Sequence, residues 1–161
     1  GGGDFAPDRI LPDCIRAAEK GEVIPLRHPE SVRPYQHVLE ALYAYLLIAR
    51  GQYERPSLAG SYNIGPDEKD CIATGELAEL FCRLWGGGAR WEARPDNGPR
   101  ETAFLRLDNS RLKKAFGWRP RWDIRMAVAK TVEWAQVYQT GGDIRQVMER
   151  QIALYDAAWE K

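Results

Sequence analysis

Apolar residues recur at steps of three and four through much of the chain, the spacing that lines one face of an α-helix. Ile10, Cys14, Ala17 and Ala18 predict a first helix over 10–20. Pro12 and Asp13 suit its opening turn, and Gly21 ends it. Val38, Leu42, Tyr45 and Ala49 predict an amphipathic helix over 36–50, closed by Gly51. Leu77, Leu80, Phe81 and Leu84 predict a third, capped by Thr74 and stopped by Gly86-Gly87-Gly88. Asp108-Asn109-Ser110 caps a short helix over 111–116, ended by Gly117. Asp123 opens a long helix whose stripe is Ile124, Ala127, Val128, Thr131, Ala135 and Tyr138. Gly141-Gly142 stops it, and Asp143 opens a last helix with Ile144, Val147, Met148, Gln151 and Tyr155 inward.

Strand signals are fewer and shorter. The pattern predicts strands over 23–26, 61–64, 89–92 and 104–107, with Pro25 marking an edge. Residues 51–60 and 95–99 read as loops. Strands this scattered close a sheet poorly. The expectation is a helix-rich α/β unit that sits on a larger sheet and, by itself, leaves apolar surface exposed.

Composition narrows the function classes. The 161 residues suit one domain over 1–161, and 23 Lys+Arg balance 23 Asp+Glu. A zero net charge argues against nucleic acid or an anionic membrane as partner. Apolar runs stay well short of the ~18 residues of a membrane span. Cys14, Cys71 and Cys82 form no C-x-x-C pair, which suggests reduced thiols in a cytoplasmic protein. With only His28 and His37, no imidazole metal site is expected.

The polar residues that stand out are Arg9, Arg27, Arg33, His37, Asn63 and Glu101. Arg33 lies between a strand and a helix, where its planar fork suits a phosphate or simply solvent. His37 reads as a cap or packing residue, and Asn63 as a turn former or a ligand amide. Trp118 and Trp122 read as packing, Cys14 and Cys82 as small core residues. The chain contains no G-x-G-x-x-G and no Tyr followed four positions later by Lys. Gly86–Gly88 follows a helix, not a strand, so it is no dinucleotide cradle. No catalytic group is assigned within these residues.

Seven segments in order carry a family likeness: Gly1-Gly2-Gly3-Asp4-Phe5-Ala6, Asp8-Arg9-Ile10-Leu11-Pro12-Asp13, Arg33-Pro34-Tyr35-Gln36-His37-Val38, Tyr62-Asn63-Ile64-Gly65-Pro66, Leu107-Asp108-Asn109-Ser110, Phe116-Gly117-Trp118-Arg119-Pro120-Arg121-Trp122 and Lys130-Thr131-Val132-Glu133-Trp134. Together they resemble the C-terminal, substrate-binding part of the extended short-chain dehydrogenase/reductase nucleotide-sugar enzymes, in particular the CDP-glucose 4,6-dehydratase family. The resemblance covers essentially the whole chain but only about the second half of such an enzyme. It makes Gly1–Gly3 native loop instead of an expression scar.

The resemblance implies an NAD-dependent lyase working as a homodimer on CDP-glucose, in deoxysugar supply for surface polysaccharide such as O-antigen. Hydride leaves C4 of the sugar for NAD, water is lost across C5 and C6, and hydride returns to C6. The NAD loop and the catalytic residues of that family lie upstream of the G-G-G-D segment, so this chain alone is expected to be inactive. What it would hold is the nucleotide end of the substrate. Arg9, Ile10 and Pro12 would lie against it, Pro25 and Arg27 would flank the pyrimidine, Arg33 would meet the diphosphate, and Asn63 would position the nucleotide. Glu101 occupies one place of a His-Glu pair in the family, where Arg100 replaces the His and offers a second phosphate contact. Two other readings remain: a related epimerase or dehydratase using another nucleotide, and a stand-alone non-catalytic binding module.

Overall fold

The computed structural model describes residues 2–94 and 102–158. Arg100 and Glu101 lie outside them. Six helices dominate: α1 (Ile10–Glu19), α2 (Val38–Glu54), α3 (Thr74–Trp85), α4 (Ser110–Phe116), α5 (Ile124–Gln139) and α6 (Ile144–Ala157). Four short strands accompany them: β1 (Ile24–Leu26), β2 (Val32–Arg33), β3 (Ile72–Ala73) and β4 (Trp91–Ala93). β1 pairs in parallel with β4, and β2 pairs antiparallel with β3. The helix-rich α/β class expected from the pattern is what the chain adopts.

The main core lies where α1, β1, α3 and α5 meet, around Cys14, Ile24, Leu77, Phe81 and Val128. A second cluster packs α2 on α4 through Ala44, Leu112 and Trp118, and a third packs α5 on α6 through Trp134, Ala135 and Val147. Trp118 and Trp122 are buried, as are Cys14 and Cys82.

Helix ends follow the local chemistry. Asp123 Oδ1 accepts from the Met126 amide at 2.8 Å, and Asp143 Oδ1 from the Gln146 amide at 3.0 Å. Both satisfy first-turn donors that have no partner within the helix. Buried Asp70 Oδ1 takes the Ile124 amide at 3.0 Å and so ties α5 to the turn before β3. Gly117 closes α4 at φ 67°, in the left-handed region that glycine enters without a Cβ clash.

Several expectations are corrected. Gly51 does not end α2, which runs three residues further; its φ is not left-handed, and the bare Cα admits the Phe116 ring. Thr74 is not the cap of α3. Ala73 holds that position, its amide donating to Glu76 Oε2 at 2.9 Å, while the Thr74 hydroxyl donates to Ser31 O. Residues 61–64 form no strand. They are stitched by side chains instead of a ladder: Tyr62 Oη donates to Leu58 O, Arg111 Nη1 to Ser61 O and Gln36 Nε2 to Ile64 O. Residues 104–107 reduce to one parallel bridge between Val32 and Phe104. Met148 and Tyr138 stay half-exposed, at 48% and 47%: α6 turns its narrower Val147–Gln151–Tyr155 stripe inward, and the Tyr138 ring lies beside Trp134 near the end of α5.

Helix α2 departs furthest. Its predicted inward stripe faces solvent: Val38, Leu42 and Tyr45 are 43%, 48% and 59% exposed. The buried positions are Glu40, Ala44 and Gly51.

Candidate functional site

A cavity of about 380 Å³ opens where segment 2–5, the start of α1 and the middle of α5 converge. Phe5, Trp134 and Tyr138 form an aromatic wall. The Trp134 and Tyr138 rings stack with centroids 5.2 Å apart, and Phe5 tilts against Tyr138 at 5.3 Å. Gly2 lies on the Trp134 face, where a Cβ would come within 2.0 Å of the indole, so only glycine fits that approach. Tyr35 and Gln36, between β2 and α2, supply a further side of the lining.

Polar groups punctuate this apolar surface. Arg9 is the residue that starts α1, yet its side chain makes no cap there. Its guanidinium stands exposed at the rim without an ion-pair or hydrogen-bond partner among the described residues. The uncapped amides at the start of α1 and the adjacent cation together suit an anion. Deeper in, Gln36 Oε1 and Trp134 Nε1 are buried without partners among the described residues. A cavity that is mostly apolar and carries a few unsatisfied polar atoms is the usual form of a small-molecule site.

Arg9, Ile10 and Pro12 therefore line one cavity, together with residues that no single motif marks as a site: Tyr35, Gln36, Phe5 and Trp134. The R-P-Y-Q-H and T-V-E-W segments contain three of these four, so the motifs carried a signal that no periodicity did. The other candidates sit elsewhere. Arg27 pairs with Asp8 at 3.7 Å, and Asp8 holds a left-handed φ of 59° just before Arg9. Pro25 is the exposed middle residue of β1. Arg33 is half-buried in β2, with Nη1 donating to Val32 O at 2.9 Å, two residues from Tyr35 on the cavity wall. Exposed Asn63 donates to Asp108 O at 3.3 Å. These four do not line the cavity.

His37 starts α2 by accepting the Leu39 amide on Nδ1 at 3.3 Å. Burial, assisted by the nearby Lys130 ammonium, pushes its pKa down to about 3, so the ring is neutral at physiological pH. Its edge meets Trp122 at 4.9 Å. The cap-and-packing role read from the sequence is the one it has.

The Gly86–Gly88 run is no dinucleotide cradle. Gly86 caps the end of α3, and Gly86, Gly87 and Gly88 all have positive φ on the way to β4. A pyrophosphate cradle needs the positive N-terminal end of a helix after a strand, whereas this run lies at a negative C-terminal end. Among the described residues no group of His, Cys, Asp or Glu is placed to hold a metal, and no helix is long and apolar enough to cross a membrane.

No protein-family profile matches the chain. Among curated proteins it is 35% identical over 159 residues to CDP-glucose 4,6-dehydratase of Salmonella typhimurium, a match spanning 98% of this chain and 44% of that protein. A weaker match, 25% over 130 residues, covers 80% of this chain and 18% of a trifunctional Arabidopsis thaliana protein whose first-named activity is UDP-glucose 4,6-dehydratase. The chain thus spans less than half the length of either relative. Among solved structures, dTDP-glucose 4,6-dehydratase from Bacillus anthracis in complex with NAD superposes with a TM-score of 0.67 at 21% identity, over 81% of this chain and 40% of that one. UDP-glucose 4-epimerase from Stenotrophomonas maltophila superposes with a TM-score of 0.69 at 19% identity, over 88% and 43%. By sequence the chain is similar to the C-terminal part of a CDP-glucose 4,6-dehydratase, and its fold is similar to the superposed portions of the dTDP-glucose 4,6-dehydratase and UDP-glucose 4-epimerase structures.

Proposed function

We propose that this chain is the nucleotide-sugar-gripping part of a CDP-glucose 4,6-dehydratase, a lyase that turns CDP-glucose into CDP-4-keto-6-deoxyglucose with loss of one water. The observation that carries the reading is the 35% identity running through 98% of the chain. NAD, which the B. anthracis structure holds, would bind outside the described residues. The chain's own work is then binding and orientation. Arg9 and the uncapped start of α1 meet the diphosphate, with Arg33 and Arg100 as further cations. Ile10, Pro12, Pro25 and Arg27 bound the nucleotide, and Asn63 and Glu101 help to orient it. The chain alone binds without turnover. Its three free thiols suit a reducing cytoplasm. The whole enzyme acts as a homodimer in deoxysugar supply for O-antigen.

The test joins the non-matching part of the Salmonella relative ahead of this chain. With NAD, this chimera is expected to convert CDP-glucose to a product one water lighter by mass spectrometry, faster than it converts UDP- or dTDP-glucose. The isolated chain should leave all three intact. A chimera that prefers another nucleotide, or is inert where the relative itself is active, overturns the reading. Turnover by the isolated chain overturns the division of labour.

A further inference from the structure

Thr74 opens α3 without capping it, and its hydroxyl is engaged elsewhere. The carbonyl of buried Ser31 accepts twice from this one residue, from the Thr74 amide at 2.9 Å and from the hydroxyl at 2.9 Å. A carbonyl oxygen only accepts, so the single hydroxyl proton of Thr74 points at Ser31 and leaves an oxygen lone pair free. The Tyr35 hydroxyl lies 2.8 Å from that oxygen, 39 positions away in sequence. The direction of the relay follows: Tyr35 donates to Thr74 Oγ1, and Thr74 donates to Ser31 O.

The short ladder sets up this meeting. β2 and β3 pair with Val32 opposite Ala73 and Arg33 opposite Ile72. Thr74 therefore comes opposite Ser31, and the Tyr35 side chain reaches back along β2 to find it. Between them the Tyr35 amide donates to Arg33 O at 3.0 Å, closing a tight three-residue turn around Pro34. The peptide from Arg33 to Tyr35 is thus held at one end by the ladder and at the other by the Thr74 hydroxyl. Tyr35 lines the aromatic cavity, as does Leu77, one turn along α3 from Thr74, whereas Thr74 itself stands outside the lining. Leu77 and Phe81 seat α3 in the main core, so the relay ties the cavity wall to a helix that packing already fixes.

We infer that Thr74 is a positioning residue. Its hydroxyl holds the Tyr35 ring as a wall of the cavity, and with it the turn that carries Arg33, without meeting the ligand. The identity of that ligand, a cytidine diphosphate sugar, rests on the functional reading above; the relay does not.

The chimera carries the test, with CDP as the probe. Thr74→Val keeps the shape of the side chain and removes the hydroxyl, and Thr74→Ser keeps the hydroxyl. Calorimetry should find CDP bound about three- to tenfold more weakly by Thr74→Val, the scale of one neutral hydrogen bond, and normally by Thr74→Ser. Tyr35→Phe should show the same loss, and combining it with Thr74→Val should add nothing, because both act through one bond. Tyr35→Phe leaves α3 untouched and decides alone if Thr74→Val does not fold. Unchanged affinity in either single variant, losses that add in the double variant, or no recovery in Thr74→Ser overturns the proposal. So does a Thr74→Val protein that melts lower yet binds CDP normally, the mark of a purely structural hydroxyl. Fluorine NMR of 3-fluorotyrosine placed at position 35 reads the ring without any ligand. Thr74→Val should move that signal towards its position in the unfolded chain, Thr74→Ser should not, and an unmoved signal overturns the proposal. A chimera that binds no CDP removes the functional reading, while the fluorine signal still decides the relay.

Discussion

The Tyr155 hydroxyl donates to Glu40 Oε2 at 2.7 Å, joining α6 to α2 across 115 positions of sequence. The other carboxylate oxygen, Oε1, takes the amides of Arg121 and Trp122 at 2.9 and 2.8 Å. Arg121 spans the same pair. Its guanidinium lies 4.3 Å from the Tyr43 ring centroid and 4.7 Å from that of Tyr155, and Nη1 donates to Tyr155 O at 3.0 Å. One buried carboxylate therefore organises the G-W-R-P-R-W turn, the start of α2 and the last helix. Burial and the Glu40 carboxylate hold the Tyr155 phenol well above its usual pKa, so it remains a donor.

Removing one side of this arrangement strands the other. Tyr155→Phe should cost about 1.5–3 kcal/mol, since it deletes one charge-assisted bond. Glu40→Ala should cost about 3–5 kcal/mol, because three donors lose their acceptor in the interior and the Arg121 guanidinium loses a nearby opposite charge. Urea unfolding of both single variants and the double variant gives the coupling. Additive losses would show that the two groups act independently, contrary to the geometry.

His37 supplies an acid limb to stability. Its folded-state pKa of about 3 lies below the ordinary 6.5, so the unfolded chain takes up the proton first. The contribution is complete above pH 6.5 and drains away as the pH falls from 6.5 towards 3, by up to ~1.4 kcal/mol per pH unit. His37→Gln should flatten the fall in urea midpoint between pH 6.5 and 4.5. An unchanged slope in that variant would place the sensitivity on the carboxylates instead.

The helices were legible because their ends carry local chemistry: Asp123 and Asp143 cap, and Gly117 turns left-handed. The orientation of α2 was not. Tyr43, Leu47 and Ile48 on its inner side are as apolar as Leu42, Tyr45 and Leu46 on its outer side, so spacing alone fits either face. Strands at 61–64 and 104–107 failed because strand identity depends on a ladder partner distant in sequence, and those segments met side chains or a single bridge instead. Of the cavity lining, Arg9, Ile10 and Pro12 were singled out by the family resemblance. Tyr35, Gln36 and Trp134 stood in its motifs without a role, since only the fold brings them to the cavity, from α5 and from the approach to α2.

Gly51 tests how tightly α2 seats on α4. In an exposed helix Gly→Ala is worth ~1 kcal/mol of stabilisation. Here the new Cβ would sit 2.5 Å from Phe116 Cε1, and that ring is fixed edge-on against Tyr62 at 5.0 Å. Gly51→Ala should therefore destabilise by about 1–3 kcal/mol through overpacking. Adding Phe116→Leu should recover part of the loss. A stabilised single variant would mean that the Phe116 ring moves freely.

Arg9 and Arg33 divide the binding question. Arg9 stands at the cavity rim with no partner among the described residues, whereas Arg33 is tied to the Val32 carbonyl in β2. If both meet the diphosphate, each substitution to Ala in the chimera should weaken CDP-glucose binding by about 1.5–3 kcal/mol, the range for hydrogen bonds to charged groups. Titration with CDP should show the same loss, and titration with cytidine, which lacks the phosphates, should show none. Calorimetry in which Arg9→Ala weakens CDP while Arg33→Ala does not would confine the anion to the start of α1. The reverse result would move it to the β2 edge and leave the aromatic cavity to another part of the ligand.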